Sequence, residues 1–356
     1  MPFNNIQKED DTIARAKSIR YLMKTELNRM EAYGRSKHAD QERTRIERSH
    51  AKAQGVSFQE YRLIDYTKDY IYSINTMKNY QHEVDRFADY LQEHGFNKIS
   101  LEEAQDHVQD YLDYLEDKGL SAPSIHISCA ALCKVLHMNM WEYDKPQRTI
   151  AEITRGNQTF KGKDVDMVSE LEKNRIWCIN RDYLGMRKNE LINLRADMIK
   201  EVGNRVEIHY IGKGGKQNKQ IFTLEHEKVF ILSLKQGKQG NERIFKRKDV
   251  EEAKNLHKAR ELRCKDVYAR IVDDIAKGGE ETKQAYKDEI KRIFKEAHKP
   301  LRENLDMPYY VRGANRDRLI AEGRETEYSR VALMYVSVTV SQHFRTDTTQ
   351  NHYIGK

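Results

Sequence analysis

The recurrence of apolar residues along this chain stops between Tyr143 and Val165. That stretch is polar and holds Pro146, Gly156 and Gly162, residues that interrupt regular structure. Residues 146–165 are therefore the best linker candidate, with a patterned segment on either side. A chain of 356 residues is long enough for two domains. With only 5 Pro and 18 Gly in all, long helices are permitted on both sides. Charged residues make up 33% and the mean hydropathy is −0.88. No apolar run is long enough to span a bilayer, and nothing near the start reads as a signal peptide. The four cysteines (Cys129, Cys133, Cys178, Cys264) are too few and too scattered for a disulfide framework, which suggests a reducing, cytoplasmic setting. The net charge of +7 is compatible with a polyanionic partner without naming one.

Before the linker the pattern is helical. Residues 1–56 are expected to form a basic helical extension. Between Ile13 and Arg48 ten Lys/Arg face five Asp/Glu, which reads either as a solvated helical face or as an arm along a phosphate backbone. Residues 57–145 are expected to form a compact helical unit. Thr76, Tyr80, Val84, Phe87, Tyr90 and Leu91 recur at helical spacing. Ser100 and Glu103 fit a capping box, and Val108, Tyr111, Leu112 and Leu115 form a second stripe ending at Lys118-Gly119. A third helix opens at Ser121-Ala-Pro-Ser124 and carries Ile125, Cys129, Leu132 and Leu136 on one face. These stripes read as core, and Cys129 and Cys133 as buried small residues rather than a zinc site.

After the linker the pattern is mixed. A helix is expected near 166–181 and another from Lys188. Arg205–Tyr210 and Lys219–Thr223 alternate as two strands around the Gly212-Lys-Gly-Gly215 turn. Helices resume at 225–236 and 249–277, and a highly charged stretch runs from about 277 to 330. Four motifs stand out. In Gly185-Met-Arg187-Lys-Asn-Glu190-Leu191, the glycine allows a tight turn and Glu190 can orient the Arg187 guanidinium from the same helical face. Lys213, at the hairpin tip, is a mobile cation between glycines that allow close approach to a phosphate, without P-loop spacing. His257-Lys-Ala-Arg260 can turn an imidazole and a guanidinium toward one anion. Last comes His343, after the apolar, β-branched run Val331–Val340, with Tyr353 ten residues further on. Each alone is an ordinary feature.

In this order they resemble the tyrosine recombinase (phage integrase) family, through its Gly-Leu-Arg-x-x-Glu-Leu box, Gly-Lys-Gly hairpin, His-x-x-Arg box and closing His…Thr-Thr-x-x-Tyr box. The match spans about 170 residues from Tyr183 to Tyr353. The helical unit looks like the family's core-binding, SAM-like domain, through Thr76, Tyr80 and Phe87.

The resemblance implies a mainly α fold with a small β-sheet. A helical core-binding domain precedes an α+β catalytic domain (166–356), and the two form a C-shaped clamp on DNA. It also implies a site-specific recombinase that cleaves and rejoins DNA through a 3′-phosphotyrosyl intermediate, serving a mobile element. Tyr353 would be the nucleophile. Arg187 and Arg260 would clamp the scissile phosphate, and Lys213 would protonate the leaving oxygen. His257 would help take the tyrosine proton, His343 would bond the phosphate, and Glu190 would brace Arg187. Lys216, Lys219 and Arg345 are expected to contact DNA. No cofactor and no metal are implied. The partners would be double-stranded recombination sites, three further copies of the chain and an accessory directionality factor, in a bacterial nucleoid and not at a membrane.

The chain departs from the family pattern in four places, one of them the ten residues from His343 to Tyr353, one more than the commonest spacing. Arg260 and His343 are 83 residues apart, far more than in most members, so 277–330 reads as an insertion: a solvated helical one, a subunit contact or an extra grip on DNA. Ser341-Gln342 replaces the usual Leu-Gly before His343. Only Ile354, Gly355 and Lys356 follow Tyr353, so another segment, such as the insertion, is expected to link protomers. Two other readings are a non-cleaving DNA-binding regulator on the same fold and a helical interaction protein.

Overall fold

The computed structural model describes residues 17–148, 167–212 and 215–355. The chain divides into two compact units, Met1–Ile153 and Thr154–Lys356, and the division falls inside the breaker-containing stretch. Linker residues 149–165 lie outside the described residues, as does Lys213.

In the first unit, α1 (Ile19–Arg29), α2 (Lys37–Ala53) and the single turn α3 (Phe58–Tyr61) precede α4 (Ile74–Glu93), α5 (Leu101–Gln105), α6 (Val108–Asp117) and α7 (Ala122–Val135). Serines open most of them. The side chains of Ser18, Ser36, Ser57 and Ser100 each accept a backbone N–H of the first turn, offsetting donors that a helix start leaves unpaired. The core gathers Val84, Phe87 and Leu91 of α4, Val108, Tyr111 and Leu115 of α6, and Ile125, Cys129 and Leu132 of α7. Cys129 Sγ and Cys133 Sγ lie 3.8 Å apart within it.

Residues 1–56 were expected to stand apart as an extension. Instead Ile19, Met23, Leu27 and Met30 are buried in this same core. Much of the basic charge there is spent inside the unit. Arg20 pairs with Asp85 and Asp89, Lys24 with Asp85 and Arg35 with Asp40. Arg48 donates to the carbonyls of Arg62 and Ile64, at 2.8 Å each. The charge count was right, but an i, i+4, i+8 apolar stripe (Ile19, Met23, Leu27) decided where α1 packs.

The second unit begins with α8 (Met167–Glu172) and α9 (Arg175–Ile179), which runs into a π-helical turn at Asn180–Leu184. Next come α10 (Lys188–Asn193) and an antiparallel sheet, β1 (Ile199–Val202), β2 (Arg205–Ile211) and β3 (Gln217–Phe222), ordered β1-β2-β3. The first strand was not expected. Then follow α11 (Glu225–Ser233), α12 (Arg247–Glu252) and α13 (Leu256–Glu296). α13 is broken at Gly279, whose φ of 66° and ψ of −151° are not helical.

The inserted stretch adds β4 (Tyr309–Tyr310), α14 (Ala314–Ala321) and β5 (Glu327–Tyr328), with Tyr309 opposite Tyr328. It is not merely solvated. Ile290, Ile293, Phe294, Leu305, Val311 and Leu319 are buried in one core with the Val331–Val340 run. That run is helical despite its β-branched residues: α15 (Arg330–Val336) passes into a π turn at Ser337–Ser341. Burial on all sides outweighs propensity here. The chain closes with α16 (Thr346–Thr349) and a third π turn, Gln350–Ile354.

Candidate active site

Arg260 sits at the head of α13, 1% exposed. Its helix opens from Asn255, whose side chain accepts the Lys258 N–H at 3.3 Å. Three guanidinium donors are spoken for. Nη1 donates to the Gly185 carbonyl and Nη2 to the Ser341 carbonyl, each at 2.5 Å, and Nε donates to Tyr353 Oη at 3.1 Å. One side chain thus joins three segments that are remote in sequence. Burial works against its charge, but Tyr353, Cys264, Tyr210 and Glu190 outweigh it and raise the guanidinium pKa above its ordinary value.

Glu190 is 4% exposed and lies 3.8 Å from Arg260 Nη1. It also closes the start of α10 on itself. Its Oε2 accepts the Arg187 N–H at 2.8 Å, and its Oε1 accepts Arg187 Nη1 at 2.8 Å. Arg187, Glu190 and Arg260 therefore share one charge network. A cleft of about 950 Å³ opens beside it, lined by Arg187, Lys188, Arg195, Tyr210, Gly212 and Arg243 among others. Its basic lining suits a polyanion.

The Gly185 turn is tight for a stated reason. Its φ is 58°, and a Cβ there would meet Val340 Cγ1 at 2.8 Å. Asn180 fixes the approach to this turn, accepting the Met186 N–H at 2.7 Å and donating to the Met186 carbonyl at 3.0 Å. Gln220 of β3 bridges the same two segments as Arg260, donating to the carbonyls of Leu184 at 2.5 Å and Val340 at 3.4 Å. At the hairpin root, a Cβ on Gly212 would fall 2.0 Å from Asn218 Nδ2 and 3.5 Å from Glu190 Oε1. Gly212, at the root of the hairpin, thus lies close to the acidic brace.

The turn before His343 is left-handed. Gln342 takes the left-handed conformation that glycine takes more readily, with φ of 57°. Its Nε2 donates to the carbonyls of Val338 at 2.5 Å and Lys219 at 2.6 Å, which offsets the strain. His343 Nε2 then lies 3.4 Å from Tyr353 Oη. Burial, followed by the nearby Arg260 and Arg187, pushes the His343 imidazole down to about 4, so the ring is neutral at neutral pH. The His257 ring centroid is 5.8 Å from that of Tyr353. Tyr353 itself is 2% exposed.

Of the residues expected at the site, Arg187, Glu190, Arg260, His257, His343 and Tyr353 are brought together. Among those expected on DNA, Lys216 is exposed. Lys219 is paired with Glu207 and Glu296, and Arg345 with Asp347. Gln220, Asn180 and Gln342 were not anticipated. Each acts through backbone carbonyls, which leave no trace in a sequence pattern.

Residues 63–143 match the family model described as "Phage integrase, N-terminal SAM-like domain". No curated protein matches the sequence. Among solved structures, the chain is similar to XerH site-specific recombinase bound to difH substrate in a pre-cleavage complex, at 14% identity over 94% of this chain and 91% of that one, with a TM-score of 0.38. It is similar to XerH bound to palindromic difH in a post-cleavage complex at 15% identity, over 72% and 85%, with a TM-score of 0.36. XerA recombinase matches at 14% identity over 87% and 93%, with a TM-score of 0.22.

Proposed function

We propose that this chain is a tyrosine recombinase of the phage integrase kind, as the SAM-like domain match over residues 63–143 supports, a site-specific DNA strand transferase that cuts and rejoins DNA through Tyr353, in the service of a mobile element. The observation that carries this reading is the meeting of Arg260 Nε and His343 Nε2 on the Tyr353 hydroxyl, at 3.1 and 3.4 Å, with Arg187 braced alongside by Glu190.

A scissile phosphodiester entering here replaces the tyrosine as the acceptor of these donors. Guanidinium has five N–H groups, and those not tied to Gly185 and Ser341 can face the non-bridging oxygens together with Arg187. Tyr353 Oη bonds to phosphorus and the P–O5′ bond breaks. The phenolic proton passes to His257, and Lys213 supplies a proton to the departing 5′-oxygen. The sum is a 3′-phosphotyrosyl bond and a free 5′-hydroxyl. Attack by another 5′-hydroxyl reverses the steps and rejoins the strands. Phosphate charge beside His343 favours its protonation, which strengthens its bond to the transition state. Strand exchange on these terms engages two duplex sites and four copies of the chain, with an accessory factor to set direction.

The test uses nicked suicide duplexes covering the genomic flanks of the coding sequence. Wild type accumulates a covalent DNA adduct and Tyr353→Phe accumulates none. One observation favours a second reading, a non-cleaving DNA-binding regulator: Tyr353 is 2% exposed, so its hydroxyl is covered in this state. Tight binding of these duplexes by wild type without any adduct would decide for the regulator.

A further inference from the structure

The short elements around Tyr353 cannot hold themselves in place. α16 has four residues and the π turn after it five, below the length at which a helix is stable on its own. Besides the Ser337–Ser341 turn, whose Ser337 and Ser341 hydroxyls meet Arg345 and Thr349, the inserted stretch and the helix leading into it hold them.

The contacts fall on both sides of Tyr353. At the start of the segment, Phe344 lies edge-on to Phe294 at 5.3 Å, with Lys299 Nζ 3.4 Å from its ring centroid. The Glu303 carboxylate then accepts the Thr346 N–H at 3.1 Å and the Thr346 hydroxyl. Glu303 is itself fixed by Arg330 Nη1 at 3.0 Å. Arg330 also donates to the carbonyls of Met307 and Pro308, at 3.0 Å each. Nearer the nucleophile, Asn315 Nδ2 donates to Asn351 Oδ1 at 2.5 Å, and beyond it Arg318 Nη2 donates to the Gly355 carbonyl at 3.2 Å.

We propose that the insertion is a built-in positioning device for the nucleophile, with Glu303, Asn315 and Arg318 as positioning residues that hold the Tyr353 segment against Arg260 and His343 of the same chain. This rests on the recombinase reading above. It explains why the long gap between Arg260 and His343 is packed against the catalytic core rather than solvated. None of the three residues is placed on the phosphate. They act on where the tyrosine oxygen stands, and a displacement of about 1 Å costs a reaction of this kind about a hundredfold.

The experiment measures single-turnover adduct formation and DNA affinity on the suicide duplexes, with thermal unfolding as the fold control. Glu303→Ala is expected to slow cleavage about thirtyfold with affinity unchanged within about twofold. Glu303→Gln keeps an acceptor for Thr346 and recovers most of the loss. The Asn315→Ala/Arg318→Ala pair tests the other anchors and serves alone if Glu303→Ala does not fold. A duplex with sulfur in place of the bridging 5′-oxygen separates positioning from proton donation, because a thiolate leaves without a proton. It restores Lys213→Ala and leaves the Glu303→Ala defect in place. Wild-type rates in these variants, parallel loss of DNA affinity, or rescue of Glu303→Ala by sulfur each overturn the proposal. If wild type forms an adduct and the variants equal it, only this inference falls. If wild type forms none, the recombinase reading falls first and takes this one with it.

Discussion

The two units solve the same problem, how to stop and place a helix, by different means. In the N-terminal unit the devices are local. Ser100 caps α5 while Glu103 reaches back to the Ser100 N–H at 2.8 Å, and Gly119, with φ of 72°, ends α6. In the C-terminal unit the segments that lead into Arg187 and His343 end in π turns and left-handed residues, and distant side chains hold them. Arg260 reaches Gly185, 75 residues away, and Tyr353, 93 away. The lesson is that a unit built on local caps tolerates the loss of one, whereas a site stitched by a few buried side chains loses several joins at once when Arg260 goes.

Arg260→Ala should show the largest effect. On the proposed recombinase reading it removes a phosphate donor, so cleavage should fall by about a thousandfold. It also strands two buried carbonyls, at roughly 1–3 kcal/mol each. Single-turnover cleavage and denaturant unfolding would show both losses. Unchanged stability would mean that the stitching is not what holds the site.

Gly185→Ala comes next. Its left-handed φ and the 2.8 Å approach to Val340 together should cost roughly 2–4 kcal/mol, read as a lowered urea midpoint. If the midpoint holds, the turn relaxes more easily than the packing suggests.

His343 supplies a pH-dependent effect of intermediate size. Its folded pKa is about 4 against an ordinary 6.5. Between those values the unfolded chain binds the proton and the folded one does not, so stability falls as the pH drops from about 6.5 to 4. His343→Asn should flatten that part of the melting-temperature profile. An unaltered slope would place the titration elsewhere.

The smallest effect belongs to the first unit. Ser100→Ala should cost about 1 kcal/mol and leave the cleavage rate of folded protein unchanged. A cleavage defect there would break the contrast between the two units.

Much of the first unit was legible in the sequence because its signals are short-range. The stripe Val108, Tyr111, Leu112, Leu115 is buried, and the Ser100–Glu103 box forms. α1 reads as part of a charged extension, yet its Ile19, Met23, Leu27 stripe packs it into the core. In the second unit the hairpin strands and the head of α10 were legible, whereas β1, the π turns and the break before Leu256 that splits the helix expected at 249–277 were not. Glu303 looked like one more charge in a charged stretch, and Gln220 and Gln342 like ordinary polar residues. Their partners are mainly backbone carbonyls and N–H groups 36 to 123 residues away.

By itself the sequence determined which segments coil, where two strands turn, and the order in which cations, imidazoles and a tyrosine occur. Spacing and propensity act within a few residues, so a pattern can report them. Only the tertiary structure decided that Arg260, His343 and Tyr353 share one point and that an insertion grips the tyrosine's segment. Those contacts close long loops, and such closure is rewarded only when the buried groups at both ends find their partners.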